Sequence, residues 1–158
     1  SLKDSRAWHF KNKLFDRFNF SGILAVSMQS LYPKKILVVD DEEDALVPLS
    51  NILRRAQYAV ITTTKGEEAI ALSKQKLPDL IILDILLPDI DGGSVAEILS
   101  QEPSTAGIPI IFLTGILSKE EELLSKQEGG RKSGKHYMLA KPVTKEDLLQ
   151  VIQKILPA

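Results

Sequence analysis

The sequence contains no cysteine, which excludes disulfide bonds and thiolate metal sites and leaves the redox compartment undetermined. It has no apolar run close to the roughly 20 residues that a membrane-spanning helix requires. It also has almost no net charge, −1 at pH 7, so the chain as a whole is not attracted to nucleic acid or to a membrane surface. These absences fit a cytoplasmic protein without requiring one; they predict no direct contact with nucleic acid and disfavour contact with a membrane.

The chain has 158 residues, of which 44% are hydrophobic and 26% charged, and this composition is typical of one globular domain. Residues 1–32 differ from the rest because they hold six of the nine aromatic residues and a basic excess. Residues 6–20 can form an amphipathic helix, with Phe10, Leu14 and Phe18 on one face. This extension is a helix that docks on a partner or on the domain, a membrane-surface or targeting segment, or non-native or upstream sequence before a start at Met28.

Apolar runs alternate with amphipathic segments from residue 33 onward. Fully apolar runs of this kind are typical of strands buried on both faces of a parallel sheet. The intervening segments have the length of right-handed βα crossovers. The predicted strands are residues 35–39, 59–63, 80–83, 109–113 and 137–140, and the predicted helices are residues 42–57, 66–76, 93–101, 119–128 and 145–156. We therefore predict a doubly wound α/β domain over residues 33–158, with a flexible basic loop at residues 129–135.

Acidic residues stand directly after two of the predicted strands. Asp40 and Asp41 follow the first strand, and Asp84 follows the third. Open α/β sheets place their sites at the carboxyl ends of the strands, so these three carboxylates are expected to converge. Carboxylates that converge repel one another unless a cation lies among them or some are protonated. Oxygen ligands on turns suit a hard ion, so the pattern predicts that Asp40, Asp41 and Asp84 bind Mg²⁺.

Two further strands end in residues that can bind a phosphoryl group. Thr114 follows the fourth strand, and Lys141 follows the fifth, just before Pro142. A hydroxyl donor and an ammonium charge are the groups that stabilise a phosphoryl group bound to a carboxylate. Taken singly, each residue is an ordinary strand-end threonine or solvated lysine. Together with the acids, they predict a site for phosphoryl transfer.

This set of residues resembles the receiver domain of two-component response regulators. The resemblance covers residues 33–157 and rests on Asp40-Asp41, Asp84, Asp91-Gly92, Thr114 and Lys141-Pro142. It implies a flavodoxin-like, CheY-like fold, with a five-stranded parallel sheet of order 2-1-3-4-5 flanked by five helices. It also implies a cis Lys141–Pro142 bond.

The resemblance further implies what each residue does. Asp84 is the phosphoacceptor, and Asp40, Asp41, Asp84 and the backbone carbonyl of Leu86 hold Mg²⁺. Thr114 hydrogen-bonds the phosphoryl group and Lys141 pairs with it. The implied donor is a sensor histidine kinase or a histidine phosphotransfer protein in a two-component system or phosphorelay. Apart from catalysing its own phosphorylation and slow dephosphorylation, such a domain is not a conventional enzyme. A downstream protein or a second copy would bind the switching face of the fourth predicted helix, fifth strand and fifth helix.

The sequence departs from the family pattern in three places. Met138 stands where receivers commonly carry the aromatic residue of the switch, and alternation places the adjacent Tyr137 on the opposite face. Residues 129–134 lengthen the last connection, either as a tolerated loop or as a basic partner contact. Leu86 and Ile116 are apolar where side chains line the path of the hydrolytic water, which predicts slow dephosphorylation.

Three other functions are less consistent with the sequence. A Mg²⁺-dependent phosphohydrolase would need a second acid two residues after Asp84, and Leu86 stands there. A flavodoxin-like cofactor binder would need a Ser/Thr/Gly-rich phosphate loop after the first strand, where acidic residues stand instead. A pseudo-receiver that signals by binding alone usually lacks an acid or the lysine, and both are present.

Overall fold

We describe the protein from a computed structural model, and the described residues are 31–115, 131–133 and 136–157, with only the backbone described at 131–133. The chain divides into two units, Ser1–Pro33 and Lys34–Ala158. All strands and helices given below belong to the second unit. The helices predicted at residues 6–20 and 119–128 lie outside the described residues.

Strands and helices alternate along the second unit, as the apolar periodicity predicted. The strands are β1 (Lys35–Val39), β2 (Ala59–Thr63), β3 (Leu80–Asp84), β4 (Ile110–Thr114), β5 (Arg131–Ser133) and β6 (His136–Ala140). The described helices are α1 (Glu43–Arg55), α2 (Gly66–Lys76), α3 (Gly92–Gln101) and α4 (Lys145–Ile155). Most ends agree with the predicted ones to within one or two residues, so the elements were predictable from local pattern.

The strands form one sheet of order β2-β1-β3-β4-β6-β5. The first five strands in that order are parallel, which confirms the predicted 2-1-3-4-5 arrangement with β6 in the place of the fifth predicted strand. The prediction of a loop throughout residues 129–135 is wrong at residues 131–133. This segment forms β5, which pairs antiparallel with β6, Ser133 opposite His136. An adjacent partner strand supplies hydrogen bonds that the polar, glycine-flanked sequence does not signal by itself.

Both faces of the sheet are buried, because alternate residues of each strand contribute to two separate cores. The first core lies against α1 and α4, and the second lies against α2 and α3. Buried residues of the first core are Ile36, Val38, Leu46, Leu49, Leu53, Leu80, Ile82, Ile111, Leu113, Leu139, Leu148, Val151 and Ile152. Those of the second are Leu37, Val39, Ala69, Ile81, Leu83, Val95, Ala96, Leu99 and Ile110. Burying one such aliphatic side chain stabilises a fold by about 1.5–3 kcal/mol, so the sheet is rigid beneath its edge.

Tyr137 and Met138 lie on opposite faces of β6. Tyr137 packs against the first core, on the side of α1 and α4. Met138 pairs in register with Phe112, which packs against the second core. The strand alternation therefore orients Tyr137 as the sequence predicted, away from the face that Met138 shares with Phe112.

Candidate functional site

Two acidic residues lie side by side where neighbouring strands end. Val39 is the last residue of β1 and pairs with Leu83 of β3. The next residue along each strand is an aspartate, Asp40 or Asp84, and their exposures are only 0% and 6%. Because both strands are fixed by the buried sheet, this pair of carboxylates is held in place by the register and not by loop conformation.

The same register brings a threonine and a lysine to this edge from the neighbouring strands. Asp84 pairs with Leu113 of β4, and the following residue, Thr114, pairs with Ala140 of β6. Lys141 comes next, and its amide donates a 2.9 Å hydrogen bond to the carbonyl of Thr114. Thr114 is buried, with 3% exposure. Four strands, β1, β3, β4 and β6, thus end in or just before a residue that was predicted from the sequence as part of the site.

Three carboxylates form a cluster at this edge of the sheet. Asp40, Asp41 and Asp84 each contribute an oxygen that lies within 4.8 Å of the other two. Asp40 and Asp84 are buried, whereas Asp41 is exposed. A cluster of hard oxygen donors with one solvent-facing side suits Mg²⁺, which takes few protein carboxylates and keeps several waters. The three acids therefore fit the predicted metal.

Lys141 joins the two buried carboxylates. Its ammonium nitrogen Nζ donates hydrogen bonds of 2.8 Å to Asp40 Oδ2 and of 2.8 Å to Asp84 Oδ2. Burial alone would lower the pKa of Lys141, but the hydrogen bonds and negative charges of Asp40 and Asp84 outweigh it and raise that pKa above its ordinary value. The lysine therefore carries a full positive charge directly beside the Asp84 carboxylate.

The remaining oxygens of the two aspartates accept backbone hydrogen bonds. Asp40 Oδ1 accepts from the amide of Glu42 over 3.0 Å, and Asp84 Oδ1 accepts from the amide of Leu86 over 3.2 Å. These contacts orient each carboxylate toward Lys141 and the open edge. The side chain of Leu86 is 62% exposed at the start of the loop after β3. Ile116, the other residue assigned to the water path, lies outside the described residues.

Gly92 is where the loop after β3 returns to the end of that strand. Its amide donates a 2.8 Å hydrogen bond to the carbonyl of Ile85. A Cβ atom placed on Gly92 would lie 2.5 Å from the carbonyl oxygen of Asp84. Glycine is therefore required here by close backbone approach, which explains the Asp91-Gly92 pair in the motif.

A cleft of about 430 Å³ opens beside the carboxylates. Its walls are mainly apolar and come from α1 and from the segment that follows β6. The lining residues are Asp40, Glu42, Ala45, Pro48, Leu49, Ile52, Leu113, Lys141, Pro142 and Val143. The peptide bond between Lys141 and Pro142 is cis, as predicted. Lys141 thus contacts the carboxylate cluster and also lines the apolar cleft.

The family model for the response regulator receiver domain matches residues 36–153. The chain belongs to this family. Protein PilH of Pseudomonas aeruginosa is 30% identical over 122 residues, which are 77% of this chain and 97% of PilH. The Bacillus subtilis alkaline phosphatase synthesis transcriptional regulatory protein PhoP is 46% identical over 89 residues, 56% of this chain but only 35% of PhoP. This receiver domain thus spans nearly all of PilH and about a third of PhoP.

The fold comparison agrees with the sequence comparison. The structure of the Vibrio cholerae chemotaxis protein CheY4 superimposes with a TM-score of 0.65 at 30% identity, covering 78% of this chain and 98% of that chain. The predicted family and CheY-like fold are therefore confirmed: residues 36–153 form a receiver domain of the response regulator family. Among the described residues, no helix is long and apolar enough to cross a membrane.

One residue of the receiver's loop after β3 was not singled out from the sequence. Asp89 accepts hydrogen bonds of 2.9 Å each from the amides of Gly66 and Glu67, the first residues of α2. These bonds, from Glu67 and then Gly66, lower the pKa of Asp89 below its ordinary value, so it is ionised at neutral pH. The sequence held an indirect signal, because α2 begins after Lys65, a residue that cannot cap a helix.

Proposed function

We propose that this receiver domain accepts a phosphoryl group on Asp84 from a phosphohistidine. The observation that carries the proposal is the 2.8 Å contact of Lys141 Nζ with both Asp40 and Asp84, two carboxylates from different strands. A lysine ammonium that contacts two buried carboxylates lies where it can balance the charge of an acyl phosphate formed on one of them. A structural ion pair would require only one of these carboxylates.

Asp84 acts as the nucleophile in the proposed reaction. An oxygen of its carboxylate attacks the phosphorus, the phosphorus–nitrogen bond to the histidine breaks, and the electron pair stays with the imidazole. Lys141 balances the negative charge that gathers on the transferred group. The hydroxyl of Thr114 is proposed to donate a hydrogen bond to a phosphoryl oxygen. The product is an aspartyl phosphate, whose high group-transfer potential drives the later switch.

Mg²⁺ would be held by Asp40, Asp41, Asp84 and the backbone carbonyl of Leu86, and it would neutralise the phosphoryl oxygens. The fit of the three carboxylates supports this ligand set. The exposed side of the cluster, at Asp41, leaves room for water and for the incoming phosphoryl group.

The proposed donor is a sensor histidine kinase or a histidine phosphotransfer protein. The apolar cleft beside Lys141 supports this, because a donor that docks there would bring its histidine close to Asp84. The proposed output is a downstream protein that binds the face around β6 and α4, or a second copy that binds there. The helix predicted at residues 119–128, which belongs to that face in the family, lies outside the described residues. A cytoplasmic location accords with such partners.

Leu86 supports a long-lived phosphoryl group. Its side chain carries no polar atom that could orient a hydrolytic water, although it stands two residues after the acceptor and is exposed. We propose slow self-dephosphorylation, which suits a phosphorelay or a stored signal more than rapid switching.

Incubation with Mg²⁺ and a small phosphodonor such as acetyl phosphate tests the proposal. The unmodified chain should gain the mass of one phosphoryl group, and the Asp84→Asn variant should gain none. Lys141→Met should fold but react slowly. An unmodified chain that stays unphosphorylated at saturating Mg²⁺ and donor, while correctly folded, would contradict the proposal and favour signalling by binding alone.

A further inference from the structure

The loop between β3 and α3 is attached to α2, a helix that contributes none of the proposed site residues. Asp89 at the middle of this loop receives both of its 2.9 Å hydrogen bonds from α2, at Gly66 and Glu67. The contact is close: a Cβ atom on Gly66 would lie 2.5 Å from Cγ2 of Ile90 and 3.0 Å from the Ile90 carbonyl oxygen. The loop and the start of α2 therefore form one packed unit.

Asp89 also replaces the cap that α2 lacks. Lys65 occupies the N-cap position and makes no side-chain capping bond. The first amides of a helix have no partner within the helix and carry a partial positive charge, so an ionised carboxylate satisfies both needs. The same carboxylate thus stabilises α2 and fixes the position of the loop.

The other contacts of the loop lead directly to the acceptor. The amide of Leu86 donates to Asp84 Oδ1, and the amide of Gly92 donates to the carbonyl of Ile85. Asp89 therefore provides a third attachment, three residues beyond Leu86 in the sequence. Without it, the middle of the loop would keep only its apolar packing, at Leu87 and Ile90 against the second core, among the contacts of the described residues.

We propose that Asp89 is a positioning residue for the metal site, acting by holding the loop that carries Leu86 against α2. The inference rests on the proposed function, since it concerns the ligand carbonyl of Leu86 and the orientation of Asp84. Asp89 itself is not part of the carboxylate cluster and is not one of the proposed metal ligands. Its loss lets the loop sample arrangements in which the Leu86 carbonyl turns away from the cluster.

The coupling must act in both directions, because linkage between two equilibria is reciprocal. If the attachment at Asp89 strengthens Mg²⁺ binding, bound Mg²⁺ strengthens the attachment. A cap of ordinary strength corresponds to roughly a fivefold factor in an equilibrium constant. We expect Mg²⁺ to slow hydrogen exchange at the Gly66 and Glu67 amides by up to this factor.

The experiment compares four forms of the 158-residue chain: the unmodified chain, Asp89→Ala, Asp89→Asn and Asp79→Ala. Asp79 is the matched control, because its carboxylate also accepts a backbone hydrogen bond from a distant residue, Lys35, over 2.8 Å. Asp79 precedes β3, whereas the proposed site lies at the other end of that strand. The Asp79→Ala substitution therefore removes a similar hydrogen bond far from the site. Calorimetry measures the Mg²⁺ dissociation constant, and hydrogen exchange with and without Mg²⁺ follows the α2 amides.

Asp89→Ala should weaken Mg²⁺ binding by roughly fivefold, and Asp79→Ala should leave it unchanged. Asp89→Asn, which keeps one acceptor oxygen, should fall between the two. Equal Mg²⁺ affinities for Asp89→Ala and the unmodified chain, or an equal loss in Asp79→Ala, would overturn the inference and leave phosphoryl transfer to Asp84 intact. Failure of Mg²⁺-bound protein to accept a phosphoryl group would overturn the proposed function alone. Absence of Mg²⁺ binding by the unmodified chain would overturn both.

Discussion

Replacing Gly92 by alanine should disturb the end of β3, which carries Asp84, although glycine has no reactive group. An alanine Cβ at this position would lie 2.5 Å from the carbonyl oxygen of Asp84, 3.0 Å from Cα of Ile85 and 3.2 Å from the carbonyl carbon of Asp84. All three are backbone atoms, so no side chain can rotate away to relieve the contact. The backbone at Asp84 or at Gly92 must move.

The size of the effect follows from two opposing terms. Restoring even a 3.0 Å separation needs a shift of about 0.5 Å in a buried strand, and overpacking of this kind costs about 1–3 kcal/mol. Alanine in place of glycine favours a helix by up to about 1 kcal/mol. Because Gly92 is the first residue of α3, only part of that gain applies. We expect a net loss of about 1–2 kcal/mol.

Urea denaturation of Gly92→Ala and of a matched control, Gly107→Ala, measures this loss. A Cβ on Gly107 would meet nothing within 4 Å, so the control should lie within about 0.5 kcal/mol of the unmodified chain. Phosphorylation of Asp84 by acetyl phosphate should also slow by roughly tenfold, since sub-ångström displacement of a nucleophile is costly. If Gly92→Ala proved as stable and as reactive as Gly107→Ala, the close approach of residue 92 to the Asp84 carbonyl would not affect stability or phosphorylation, and the reasoning would be refuted.

Two further predictions concern the charge and the apolar edge of the site. Asp41→Asn should stabilise the Mg²⁺-free chain by up to about 1 kcal/mol, because it removes one of three clustered carboxylates, and urea denaturation in EDTA measures this. The gain should vanish in Mg²⁺; a loss of stability in EDTA would contradict the repulsion. Leu86→Asn should shorten the lifetime of the phosphorylated chain several-fold, because the amide side chain can orient a water molecule. Val47→Asn is the control, since Val47 is 61% exposed and Leu86 62%, and it should leave the lifetime unchanged. A half-life of seconds in the unmodified protein would refute the proposed slow hydrolysis.

The site could be predicted from the sequence because its residues are tied to strand ends. Apolar runs locate strands, and parallel strands end at one edge, so the residues after them must meet. Asp40 and Asp84 illustrate this, since no long-range information beyond the parallel order was needed to bring them together. The 2.8 Å contacts of Lys141 are finer than such reasoning can supply, because they depend on side-chain rotamers.

Features that depend on a distant partner could not be predicted in the same way. β5 is a strand because β6 lies beside it, and the polar sequence of residues 131–133 carries no periodicity that announces a strand. Asp89 is similar, because a Pro-Asp turn looks complete by itself, yet its carboxylate serves a helix that begins 23 residues earlier. A local sequence pattern can show that a segment requires a hydrogen-bonding partner, but it does not show which distant segment provides that partner.

Residues at strand ends and contacts between distant segments have different roles in this receiver domain. Residues proposed for chemistry lie on strand ends, where buried hydrogen-bonded ladders fix their positions, so sequence pattern and function coincide there. The loop after β3 has no ladder, and in the proposed metal site it must still present the Leu86 carbonyl beside Asp84. Such a loop holds its shape only through tertiary contacts, here the capping of α2 by Asp89 and the close approach at Gly92. A substitution in α2 that weakens its N-terminus should therefore weaken Mg²⁺ binding at the proposed metal site before it affects the fold.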